Sequence, residues 1–77
     1  MPRLTALEWR MLACIFESFG YEFDRMEGDH MMYAKAGSIR PLVIPRYKAV
    51  GLDIIQRLMK VAKITREEFF EALEKCK

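Results

Sequence analysis

The stretch Arg25-Met26-Glu27-Gly28-Asp29-His30-Met31-Met32-Tyr33 decides how this 77-residue chain is read. Gly28-Asp29 suits the two central positions of a tight II′ hairpin, because glycine takes a positive φ without the cost that a Cβ imposes. The residues just before it, Tyr21-Glu22-Phe23-Asp24-Arg25, alternate aromatic with charged side chains, the period of a half-exposed strand. A second strand follows from His30 to Lys35. The only histidine of the chain thus stands at the first position after the turn.

Upstream, Thr5-Ala6-Leu7-Glu8 has the pattern of a capping box, with Leu4 and Trp9 placed as a hydrophobic staple. Trp9, Leu12, Ile15, Phe16 and Phe19 follow one helical face, and Gly20 can supply a left-handed C-terminal cap, which predicts a helix from about Ala6 to about Phe19. Downstream, Ala36-Gly37-Ser38 reads as a second turn and Ile39 to Ile44 as a third strand. Pro41 cannot donate to a ladder and argues for an edge position, so the expected sheet is an antiparallel meander with the second strand in the middle. His30, Met32 and Ala34 share one face of that strand and Met31, Tyr33 and Lys35 the other. Methionines on both leave open whether His30 is a buried structural histidine or a rim residue free to meet a substrate.

After a basic loop, Pro45-Arg46-Tyr47-Lys48, Asp53 is placed to cap a second helix with Ile55, Leu58, Met59 and Ala62 on its apolar face and Arg57 and Lys60 toward solvent. Thr65-Arg66-Glu67-Glu68 is a second capping box, stapled by Ile64 and Phe69, which opens a short last helix docked by Phe69, Phe70, Leu73 and Cys76. The fold class expected is α+β: helix, three-stranded antiparallel meander, helix, and an extra C-terminal helix, in a single domain over 1–77.

Charge is segregated. Residues 35–63 carry seven basic side chains, Lys35, Arg40, Arg46, Lys48, Arg57, Lys60 and Lys63, against Asp53 alone, a balance of +6, whereas the whole chain carries +2. A positive field concentrated in one third of a chain suits a surface that meets phosphates, although lysine and arginine also solvate exposed faces with no partner at all. No apolar run approaches the roughly 20 residues of a membrane span, and the start lacks a signal peptide's apolar stretch, so a cytoplasmic, non-membrane protein is expected. In that compartment Cys14 and Cys76 are expected as free thiols, Cys14 packed as a small hydrophobe. Neither has metal-ligand spacing, and no metal or small-molecule cofactor is expected.

Four pieces in order resemble the HicA toxin family: Gly20-Tyr21-Glu22-Phe23, then Arg25 to Tyr33 around Gly28-Asp29-His30, then Val43-Ile44-Pro45-Arg46-Tyr47-Lys48, then Ile55 to Ile64 leading into Glu67-Glu68-Phe69. The family's pattern is a Gly-Phe opening, a Gly-Ser-His turn, a Val-Pro-Arg-His loop and an apolar helix before Glu-Glu-Phe. The match spans roughly residues 4 to 70, with Asp29 where the family has serine and Tyr47 where it has the loop histidine. What the resemblance implies is a double-stranded RNA-binding-like fold and a toxin of a type II toxin-antitoxin pair, an mRNA interferase neutralised by a HicB-type antitoxin protein, with His30 as the catalytic residue.

Metal-independent RNA cleavage needs a 2′-hydroxyl deprotonated, charge on the phosphate stabilised and the leaving oxygen protonated. An imidazole suits the first task, since its ordinary pKa of about 6.5 lies near working pH. Lys35, Arg40, Arg46 and Lys48 are the cations expected to bind the RNA, and Tyr47 offers a ring for base stacking. The general acid stays open among Tyr47, Lys48 and water. Asp29 can orient the ring, repel the phosphate, or serve only the turn. The other readings are a non-catalytic RNA-binding or protein-interaction module of the same fold, and a small nucleic-acid-binding regulator.

Overall fold

The computed structural model describes residues 5–77. Its elements are α1 (Trp9–Glu17), β1 (Glu22–Glu27), β2 (His30–Ala34), β3 (Leu42–Pro45), α2 (Leu52–Ala62) and α3 (Arg66–Cys76). The strands form one antiparallel sheet in the order β1-β2-β3, so the α+β meander expected from the sequence is the architecture observed.

Local chemistry explains the hairpin. Gly28 has φ +61 and Asp29 does not enter the positive region, the combination a II′ turn requires, and Glu27 pairs directly with His30 across it. That register settles the faces of β2. Met31 and Tyr33 are buried and pair with Ile44 and Leu42 of β3, while His30 and Ala34 are exposed, with Pro45 opposite His30 and Val43 opposite Met32. The histidine therefore lies on the outer face.

The inner face packs against α1 and α2, and α3 packs on α1. Phe16, Phe69, Leu12, Ile15, Leu42, Ile44, Ile55 and Val50 are fully buried, the Phe16 and Phe69 rings lying 6.3 Å apart where α1 meets α3. Side chains of this size each contribute about 1.5–3 kcal/mol when taken out of water, so these eight dominate the core. Tyr33 is 4% exposed and its hydroxyl donates to Glu17 Oε2 at 3.4 Å.

Several boundaries differ from the sequence reading, each for a tertiary reason. Thr5-Glu8 forms no capping box. Glu8 itself is the N-cap, without a side-chain hydrogen bond, because the chain before α1 pairs with the loop before α2: Val50 N–H donates to Leu7 C=O at 2.7 Å and Trp9 N–H to Tyr47 C=O at 3.1 Å. Leu4 lies outside the described residues. β1 begins at Glu22 and is irregular between Phe23 and Arg25, which breaks the expected alternation and leaves all six residues exposed, whereas Tyr21 before it is buried. β3 starts only at Leu42, after Pro41, and leaves Ile39 98% exposed in the preceding loop. Gly51, not Asp53, is the N-cap of α2, and Asp53 sits in its first turn.

The second capping box forms as expected. Glu68 N–H donates to Thr65 Oγ1 at 3.1 Å and Thr65 N–H to Glu68 Oε1 at 2.8 Å, and α3 runs for 11 residues, as long as α2 and longer than the short helix expected. The cysteines are not free. α1 and α3 pack side by side, bringing the Cα atoms of Cys14 and Cys76 to 6.0 Å, and the two form a disulfide. Spacing along the chain gave no hint of this, because the proximity is created by helix packing. Cys14 is exposed on α1 rather than packed in the core.

Candidate functional site

His30 is placed by three backbone constraints. The II′ turn sets its approach to β2, pairing with Pro45 sets its height in the sheet, and Arg46 N–H donates to Asp29 C=O at 2.9 Å, which ties the loop after β3 to the hairpin. Beyond Arg46 the chain turns tightly. Tyr47 N–H donates to Pro45 C=O at 2.8 Å while Tyr47 C=O accepts from Trp9, so the phenol ring is carried back toward His30.

The result is a groove of about 300 Å³ between the outer side of β3 and α2, with His30, Val43, Pro45 and Tyr47 on one wall and Ile54, Arg57, Leu58 and Val61 on the other; Arg40 and Pro41 also line it. Its cations are Arg40 and Arg57. Arg57 escaped the sequence reading because helical periodicity shows that it leaves the apolar face of α2 without showing what it then confronts.

The basic residues expected to share a phosphate are divided. Arg40 and Tyr47 join His30 in the groove, and Arg46 does not, since its guanidinium lies over Trp9, 4.9 Å from the ring centre. Lys35 lies at the far end of β2, its Nζ 5.6 Å from the centre of the Tyr21 ring. Lys48 is exposed on the loop after β3.

Electrostatically, the nearest carboxylate in register is Glu27, directly across the ladder from His30, where opposed Cβ atoms are about 4.5–5.5 Å apart. Arg25 Nη2 holds Glu27 Oε2 at 3.2 Å and Arg25 Nη1 holds Asp24 Oδ2 at 2.7 Å, so part of the acidic charge along β1 is compensated. Neither the His30 ring nor the Asp29 carboxylate hydrogen-bonds to another side chain among the described residues. The phenol of Tyr33, on the opposite face, is raised above its ordinary value of 10.0, first by burial and then by the charge and the hydrogen bond of Glu17.

The arrangement offers an accessible imidazole, two guanidinium groups and a phenol around one groove. A proton acceptor, anion-binding cations and a stacking surface are what a phosphodiester would meet there. No cluster of three histidine, cysteine or acidic residues suited to a metal occurs among the described residues, and no described helix is long and apolar enough to cross a membrane. No family model, curated protein or solved structure matches the chain.

Proposed function

We propose that this chain is a HicA-like endoribonuclease toxin that cleaves mRNA through His30 and is neutralised by a HicB-type antitoxin protein covering its basic face. The reading rests on the sequence resemblance. The structural observation that carries it is the exposed position of His30 at the rim of a groove that also holds Tyr47, Arg40 and Arg57. In the reaction the unprotonated imidazole takes the proton of a 2′-hydroxyl. The resulting oxyanion attacks the adjacent phosphorus, the bond to the 5′-oxygen breaks, and that oxygen takes a proton, leaving a 2′,3′-cyclic phosphate. Arg40 and Arg57 stabilise the charge that builds on the phosphoryl oxygens.

The decisive experiment compares purified wild type and His30→Ala on single-stranded RNA, with a chelator present and product ends identified. Cleavage by the wild type alone, ending in cyclic phosphate, is expected. Equal cleavage by both chains would remove His30 from the chemistry.

A second reading has its own support. No described side chain orients the His30 ring, so the same surface can serve as a non-catalytic RNA-binding module. RNA bound tightly but left intact by the wild type would favour it.

A further inference from the structure

The groove beside His30 adjoins a larger one. This second groove, of about 370 Å³, opens between the β2–β3 loop and the C-terminal end of α2. Lys35, Arg40 and Lys63 line it, together with Ser38, and no acidic side chain is among its described lining.

Its cations are set in place by the fold. Lys35 runs past Gly20, where an added Cβ would lie 3.4 Å from Lys35 Cε, and its ammonium rests against the Tyr21 ring. Ser38 Oγ donates to Arg40 C=O at 3.2 Å and Ser38 N–H to Lys35 C=O at 3.0 Å, which folds the loop so that both its basic ends face one space. Lys63 takes the left-handed cap of α2 at φ 57 and reaches the same space from the other wall. A helix C-terminus repels anions through its free carbonyls. Here the carbonyls of Met59 and Lys60 are engaged by the N–H groups of Ile64 and Lys63, both at 3.2 Å, and three cations outweigh what remains.

The two grooves share Arg40 and Val61, so they adjoin along one path. We infer that the second groove is a phosphate subsite for single-stranded RNA, in which Lys35, Arg40 and Lys63 hold a backbone phosphate flanking the one at His30. The assignment rests on the RNA reading above and deepens it, making the bound ligand a strand of several nucleotides laid across both grooves.

The test uses 2′-O-methyl oligoribonucleotides, which the 2′-oxygen chemistry cannot cleave. A hexanucleotide is expected to shift the backbone amides of Gly37, Ser38 and Lys63 together with that of His30 in an NMR titration of the wild type. A double Lys35→Gln, Lys63→Gln chain, both positions being exposed, is expected to bind it about tenfold more weakly, with the salt slope reduced by about 0.7 for each phosphate no longer neutralised. Lys75→Gln, which removes one charge from α3, serves as the control and is expected to change neither.

Shifts confined to His30 and its neighbours, or a double variant with wild-type affinity and slope, overturn the subsite while the catalytic reading stands. Occupancy of both grooves by a protein that cuts no RNA, or cuts it without His30, overturns the catalytic reading and leaves the subsite. If the wild type binds no oligonucleotide, both are overturned.

Discussion

The guanidinium of Arg46 lies over the indole of Trp9, its Cζ 4.9 Å from the ring centre, and Arg10 approaches the same ring at 5.3 Å. With the hydrogen bond from Trp9 N–H to Tyr47 C=O, this makes the start of α1 and the loop after β3 a single unit. Arg46 belongs to that unit before it belongs to any RNA surface. Arg46→Ala is expected to lower the unfolding free energy in urea by about 0.5–1 kcal/mol, with Arg46→Lys recovering only part, because an ammonium lacks the planar face that stacks. Unchanged stability in both variants would mean the stacking contributes nothing in water.

The bond between Cys14 and Cys76 closes a loop spanning 62 positions. Chain entropy for a loop of that size corresponds to about 4 kcal/mol of stabilisation relative to the reduced chain. Reduction, or Cys14→Ser, is therefore expected to lower the thermal midpoint by well over 10 °C, since about 1 kcal/mol shifts a domain this small by roughly 4–8 °C. Superimposable melts of the oxidised and reduced protein would show that α1 and α3 hold together without the link.

Tyr33 sets an alkaline limit. Its pKa is raised in the folded chain, so the native state holds the phenolic proton more tightly than the unfolded chain does. The stability this contributes is fully present below about pH 10 and is lost as pH rises through the folded-state value. Denaturation midpoints measured from pH 9 to 12 are expected to fall, and to fall less steeply in Tyr33→Phe. The same slope in both chains would assign the alkaline loss to another group.

At Gly28 the expected effect of substitution is purely conformational. Nothing lies within 4 Å of an added Cβ, yet φ is +61. Gly28→Ala is expected to cost about 1–3 kcal/mol, because the first central position of a II′ turn combines a positive φ with an extended ψ that only glycine adopts without strain. Since the turn also fixes His30, heteronuclear spectra of Gly28→Ala should show the His30 and Arg46 amides moving together. A Gly28→Ala chain as stable as wild type would contradict the II′ geometry.

The contrast between the two capping motifs shows where sequence reading succeeds. Thr65-Glu68 and Thr5-Glu8 carry the same signal, and only the first forms, because Val50 captures Leu7 and draws the chain away before α1 begins. The Gly28-Asp29 hairpin was equally legible, being decided by residues adjacent in the chain. The disulfide was not, since its partners meet only through the packing of α1 on α3. Of the site, His30, Arg40 and Tyr47 were legible as types in a pattern. Arg57 was not, because its place in the groove comes from α2 lying against β3, and neither was the seat of Arg46, because the ring that holds it is contributed by a distant helix.

Among the described residues β1 has a neighbour on one side only, and its other backbone edge is open to pairing with an extended chain. The irregularity between Phe23 and Arg25 bends that edge, and Glu22, Asp24, Arg25 and Glu27 line it with charge. A strand docking there would have to match a broken ladder while bringing its own charges against these. The same irregularity that spoils the period of β1 thus makes that edge a poor template for the strand of a second copy.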